Sequence, residues 1–372
     1  MSWTDRTPLG KALASSRLPA LDGLRMVAVL MVVVNHAGWL GVPADLGVNV
    51  FFVLSGFLIT WLLIKEREQT GTISLRSFYL RRAFRLLPAY YAYLAIAYLL
   101  YFSRHGGRTD FVLPSLLYYA NYFNALHGHP ATPISHTWSL AIEEQFYVLW
   151  PITFGWLARS GRRLAIRFLV VAIVAVVAWR SFLYLRIGVS PAYVYNAFDT
   201  RFDNLAVGCL AALLTQNERV LQGAQRWARH WSLPLVTCAL LYVSRHFGPG
   251  RYHYSVGFTV EAALIAVAMI QIMQLAATSA WKWLDHPAAR FVGTISYPMY
   301  LYHGFATTAA MKVAGGRPGM MPLVAVVCAI PLGALSYYIV EKPFLRLRAR
   351  LTRRGPEPAP EGPPATLSGQ PF

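Results

Sequence analysis

The 372-residue chain is 56% hydrophobic and only 13% charged, with mean hydropathy +0.41; soluble domains carry about 25% charge, which excludes an ordinary soluble globule. A net charge of +18 would suggest nucleic acid in a soluble chain, but Lys and Arg retained on the cytoplasmic side of a membrane explain it. No aromatic-basic single-strand-binding pattern remains outside the apolar segments, so the expected partner is the lipid bilayer and no nucleic acid is expected.

The chain reads as an all-α, polytopic integral membrane protein. A spanning helix needs about 20 mostly apolar residues, and ten segments approach this: 21–41, 47–64, 84–102, 138–158, 164–184, 202–216, 232–247, 257–276, 291–313 and 320–340. The sixth and seventh are short. Segment 111–126 is apolar too, but its length and Pro114 suit a re-entrant or interfacial helix. The first span follows a polar stretch and lacks a small-residue cleavage site, so no cleavable signal is expected. With the N terminus inside, cytoplasmic stretches hold 24 of the 34 Lys and Arg and external stretches hold 9. That bias favours both termini on the cytoplasmic side. Residues 1–348 are expected to form one transmembrane domain and the Pro-rich residues 349–372 a disordered cytoplasmic tail. Cys209, Cys238 and Cys328 lie in apolar runs without CxxC spacing and read as small core residues, so no metal is expected. No fixed-period repeat supports an inverted-repeat transporter.

Ionisable groups inside a membrane are expensive and usually functional. The first span carries Asp22, Arg25 and His36. Arg25 and His36 share a helix face about 16 Å apart along the axis, with His36 nearer the outer leaflet. His36 is either a hydrogen-bonding group between helices or a catalytic base. Ser55, between large apolar residues, reads as a helix-packing residue, since its surroundings are not a GxSxG elbow. At the entrance of the third span Arg81, Arg82 and Arg85 cluster on one helical side. They suit lipid headgroups, or a bidentate clamp on the phosphates of a cytosolic donor such as CoA. Along the fourth span His136, Ser139, Glu143 and Tyr147 recur as one polar stripe. A partly dry Glu143 could orient and charge-stabilise His36 as a base. Asp199, Arg201 and Asp203 at the outer mouth of the sixth span suit a polar acceptor or a structural ion pair. His303 lies about midway along the ninth span and either lines the same cavity or hydrogen-bonds in the core.

In this order the segments resemble the membrane acyltransferase 3 family: LDGLR…H at 21–36, FFVLSGFLI at 51–59, RRAFRLLPAYY at 81–91, WSLAIEEQFYVLWP at 138–151, TRFDNLAVGCLAA at 200–212, ISYPMYLYH at 295–303 and VEKPF at 340–344. The resemblance covers residues 18–348. It implies acyl transfer from acyl-CoA, commonly acetyl-CoA, to hydroxyls of surface polysaccharide, peptidoglycan, glycolipid or macrolide-type acceptors. The family's basic-residue-to-histidine motif falls on Arg25 and His36, its RxxR motif on Arg82 and Arg85, and its WSLxxE glutamate on Glu143. Some members carry a fused hydrolase-like domain that relays the acyl group. Residues 349–372 do not contain one, so direct transfer or a separate partner is expected.

The expected mechanism divides the labour across the membrane. Arg25, Arg82 and Arg85 bind the donor phosphates, while His36, paired with Glu143, deprotonates the acceptor hydroxyl. His136, Ser139, Asp199, Arg201 and His303 are the candidate acceptor contacts. An acyl-imidazole on His36 is the alternative chemistry, and a transporter or flippase is the alternative function.

Overall fold

The computed structural model describes residues 8–15, 17–102, 109–247, 250–315, 317 and 319–352, and its elements are helices throughout. They run α1 (Pro8–Ala14), α2 (Pro19–His36), α3 (Ala44–Thr70), α4 (Leu75–Ala97), α5 (Val112–Leu116), α6 (Ala120–His127), α7 (Thr137–Arg159), α8 (Arg162–Phe182) and α9 (Pro191–Asn196). There follow α10 (Asp203–Leu214), α11 (Glu218–Trp227), α12 (Leu233–Phe247), α13 (Phe258–Leu275), α14 (Pro287–Thr294), α15 (Ser296–Val313), α16 (Met321–Ser336) and α17 (Lys342–Thr352). Local chemistry marks several ends. Pro19 opens α2, the Ser74 hydroxyl accepts from the Ser77 amide to cap α4, and Gly71, at φ 74°, closes α3 in a left-handed conformation that glycine adopts without strain.

Among the described residues six helices are long and apolar enough to cross a bilayer: Pro19–His36, Ala44–Thr70, Leu75–Tyr101, Arg162–Ile187, Gly250–Leu275 and Met321–Leu351. Ten spans were expected. The other four segments are helical, but α10 and α12 have only 12 and 15 residues, and α7 and α15 are long without being as apolar. The physical reason lies in their neighbours: α7 and α15 carry Glu143, Glu144, His303 and several hydroxyls that face protein rather than lipid. Segment 111–126 forms α5 and α6, broken at Tyr118, whose φ of 54° interrupts any continuous helix. Gln145 and Thr137 of α7 hydrogen-bond the α6 and α5 side chains Asn121 and Ser115. The proposed tail is helical to Thr352, and residues 353–372 lie outside the described residues.

Helix α3 is the centre of the bundle. Its apolar window is 72% buried in protein, against 22% for Arg162–Ile187 and for Met321–Leu351, which turn most of their side chains outward. It meets α10 backbone to backbone: a Cβ on Gly56 would strike the Leu205 carbonyl, and one on Gly208 the Val53 carbonyl. Paired small residues let membrane helices approach this closely, where dispersion replaces the missing hydrophobic drive. The Cys209 thiol donates to the Gly56 carbonyl at 3.3 Å in the same contact, so this cysteine is a packing residue. Beside it, Arg180 of α8 forms a fully buried 3.0 Å ion pair with Asp203 of α10. Its guanidinium also donates to the Thr200 and Ser255 carbonyls and to Thr259 of α13. Between α2 and α3 the Asn35 amide donates to the Val42 carbonyl at 2.7 Å, folding the turn so that the end of α2 stands beside the start of α3.

Candidate active site

Three imidazoles converge at that turn. The last residue of α2 supplies His36, α15 supplies His303, and the residue preceding α7 supplies His136. The His303 ring centroid lies 4.7 Å from that of His36 and 4.6 Å from that of His136. His36 Nδ1 is 2.8 Å from the Val32 carbonyl oxygen, and His303 Nδ1 is 2.6 Å from that of Tyr300. A carbonyl oxygen only accepts, so each neutral ring carries its proton on Nδ1 and leaves a lone pair on Nε2. Each helix thus fixes the tautomer of its own histidine, and both rings are prepared to accept a proton. Close by, the Ser139 and Tyr300 hydroxyls share a 2.6 Å hydrogen bond, and both approach the His136 carbonyl oxygen.

These histidines line a cavity of about 740 Å³. A narrower void of about 70 Å³ abuts it, since Val48 and Tyr300 line both. The void runs back between α2, α3, α4 and α7, where Arg25, Ser55, Arg85 and Glu143 line it. Arginines therefore line one of two adjacent spaces and histidines the other. The polar stripe of α7 explains the route, with His136 in the cavity and Ser139 and Glu143 one and two turns further along the void.

The sequence candidates fall in different places. Arg25 and Arg85 line the void together, and Arg25 also reaches Asp22 at 3.8 Å. Arg82 points elsewhere: its Nε is 3.6 Å from Glu144 Oε1 and its guanidinium covers the Tyr147 ring. Arg81 is paired with Glu66 at 2.6 Å. Glu143 does not meet His36. It accepts from Ser55 at 3.0 Å and from the Tyr147 hydroxyl at 3.4 Å. The expected His36–Glu143 pair is replaced by His36–His303, because Glu143 sits two turns along α7, about 10 Å from the level of His136. Ser55, read as a packing residue, is thereby a hydrogen-bond donor to a half-buried acid.

Asp199 and Arg201 do not line the cavity and do not pair with each other. The Asp199 carboxylate accepts from Trp179 Nε1 at 2.8 Å and from the Tyr122 and Tyr193 hydroxyls. Arg201 is fully buried, donates to Asn49 Oδ1 at 2.5 Å, and lies 3.9 Å from the centre of the Phe258 ring. Asp203 is held by Arg180 instead. Sequence reasoning passed over Asp45, Trp138, Tyr195, Arg245 and Tyr300, all of which line the cavity. Tyr300, three residues before His303 on one helix face, was within reach of a periodicity argument. Asp45 and Arg245 are 200 residues apart and carry no local signal. Among the described residues no group of three or more His, Cys, Asp or Glu is arranged to hold a metal ion.

A family model described as an acyltransferase domain matches residues 18–341. The chain is similar to "Putative peptidoglycan O-acetyltransferase YrhL" of Bacillus subtilis (strain 168), 32% identical over 355 residues, covering 88% of this chain and 55% of that protein. It is also similar to "Peptidoglycan O-acetyltransferase OatA" of Listeria monocytogenes, 28% identical, covering 88% of this chain and 56% of that protein. The chain therefore spans about half the length of the curated relatives it matches. No solved structure matches it.

Proposed function

The chain belongs to the acyltransferase 3 family, and from that premise we propose that it is a membrane O-acyltransferase that moves an acyl group, acetyl by preference, from cytosolic acyl-CoA to a glycan hydroxyl on the outer side of a bacterial plasma membrane. The observation that carries this reading is the abutment of the arginine-lined void and the histidine-lined cavity. The Lys and Arg bias supports a reading in which the Arg25 end faces the cytoplasm, where CoA resides, and the His36 end faces the cell surface.

In this reading Arg25 and Arg85 bind CoA phosphates, which guanidinium groups grip bidentately. The pantetheine arm follows the void past Phe51, Ser55 and Glu143, and the thioester carbon comes to rest near Tyr300. A glycan hydroxyl in the large cavity donates its proton to His36 Nε2 as its oxygen attacks that carbon. Collapse of the tetrahedral intermediate breaks the C–S bond, and the imidazolium returns the proton to the departing thiolate. His303 stabilises the charged His36 ring from 4.7 Å. The Ser139 and Tyr300 hydroxyls share two protons between each other and the His136 carbonyl, and turning one of these from that carbonyl to the developing oxyanion supplies a donor there, a role in which a fixed hydrogen bond is worth about two to three powers of ten in rate. The neighbouring His303 lone pair also suits a two-step route, in which His36 is acylated and His303 activates the acceptor.

The experiment is mass spectrometry of surface glycans from a deletion strain complemented with wild type or with His36→Ala. One ester is expected to vanish on deletion and return only with wild type, since a general base contributes about 10²- to 10⁴-fold. Restoration by His36→Ala overturns the assignment. An ester pattern unchanged by deletion overturns the function.

A further inference from the structure

The histidines form one part of the lining of the large cavity, and another part has a different chemistry. There Trp138 of α7 and Tyr195 of α9 meet with ring centroids 4.8 Å apart and planes inclined at 46°. His129 lies 5.9 Å from the Trp138 ring and 6.0 Å from that of Tyr195. Beside this aromatic corner stand Asp45, in the first turn of α3, and Arg245, near the end of α12. They form an ion pair, and Arg245 Nη1 is also 3.3 Å from Glu261 Oε1. Asp45 Oδ2 receives Arg245, whereas Oδ1 has no hydrogen bond among the described residues.

We propose that this wall is the acceptor subsite and that it binds an uncharged pyranose ring; this rests on the transferase reading above. One face of a pyranose is a patch of C–H bonds, apolar and slightly positive, which suits the electron-rich face of Trp or Tyr. Its rim carries hydroxyls, each donor and acceptor at once. Asp45 Oδ1 supplies the acceptor such a hydroxyl needs, and the guanidinium holding Oδ2 fixes the carboxylate in place. The charge balance selects against an acidic sugar. Arg245 is already flanked by two carboxylates, Asp45 and Glu261, so it offers no unneutralised cation to a third. Burial lowers the pKa of His129, which therefore faces the cavity as a neutral hydrogen-bonding group. A ring held here shares the cavity with His36 and His303, and a hydroxyl turned away from the Trp138–Tyr195 corner is the one presented to the base.

The test uses the full chain purified in detergent, with acetyl-CoA as donor and two tetrasaccharides as acceptors: a neutral N-acetylglucosamine oligomer and a hexuronic acid oligomer. Saturation-transfer NMR is expected to show binding of the neutral oligomer with contact on the C–H face, and weaker or no binding of the acidic one. Trp138→Leu and Asp45→Asn are each expected to raise the acceptor KM about ten-fold or more, the loss of a hydroxyl contact or a stacking face. Trp138→Phe, which keeps a ring, stays within about two-fold of wild type. Acetyl-CoA binding, measured by calorimetry, serves as the folding control for all three. The subsite is overturned if the wild type does not bind the neutral oligomer or prefers the acidic one. It is equally overturned if folded Trp138→Leu and Asp45→Asn both keep the wild-type acceptor KM. If the neutral oligomer binds in the expected way but is never acylated, the subsite stands and the transferase reading falls.

Discussion

At His36 the proposed chemistry turns on which ring nitrogen carries the proton. The Val32 carbonyl four residues earlier holds Nδ1–H and leaves Nε2 basic without any carboxylate partner. In the proposed mechanism Glu143, half-buried between Ser55 and Tyr147, acts on the donor route rather than on the base. Glu143→Gln should consequently lower acyl transfer less than His36→Ala, and should alter acyl-CoA KM more than acceptor KM; equal losses confined to kcat would restore the His–Glu pair. The two arginines of the RxxR motif should separate as well. Arg85 lines the void, and its replacement by Ala is expected to weaken acyl-CoA binding about ten- to hundred-fold, as expected for losing a charged hydrogen-bonding partner. Arg82 is engaged with Glu144 and Tyr147, so Arg82→Ala should chiefly lower thermal stability in detergent. Comparable loss of CoA affinity in both variants would mean that the clamp closes as a pair.

Between helices, two kinds of contact hold the site. The α3–α10 crossing depends on backbone contact at Gly56 and Gly208, which leaves no space for a side chain. Gly208→Val should therefore destabilise the protein by about 1–3 kcal/mol, the usual cost of overpacking, and lower the melting temperature of the purified protein. The Arg180–Asp203 pair ties α8, α10 and α13 behind the cavity wall. Asp203→Ala leaves a buried guanidinium uncompensated and is expected to cost about 3–5 kcal/mol, visible as a loss of folded protein on size-exclusion chromatography. Wild-type elution and melting in both variants would show that neither contact governs packing.

For the whole molecule the central matter is direction. If CoA enters at Arg25 and the acceptor at His36, the α2–α3 turn faces the cell exterior and the end of α3 faces the cytoplasm. Leu40 is 82% exposed in that turn and Thr70 is exposed at the other end. In a variant whose three cysteines are replaced by serine, Leu40→Cys should react with a membrane-impermeant maleimide on intact spheroplasts. Thr70→Cys should react only after permeabilisation. The reverse pattern would invert the orientation and remove the proposed route for the donor.

The sequence by itself determined the class of molecule. Low charge density, long apolar runs and biased Lys and Arg are local or summed properties that need no partner to be read, and ordered motifs marked Arg25, His36 and Glu143. Helical periodicity also placed His136, Ser139 and Glu143 on one stripe. The tertiary structure decided which of these residues meet. His36 and His303 are brought together by the packing of α2 against α15, Arg82 packs against Glu144 and Tyr147, and Asp45 finds Arg245 across 200 residues. Periodicity assigns a residue to a face of its own helix. Which face meets which is settled only by how the helices pack, through contacts such as those at Gly56 and Gly208.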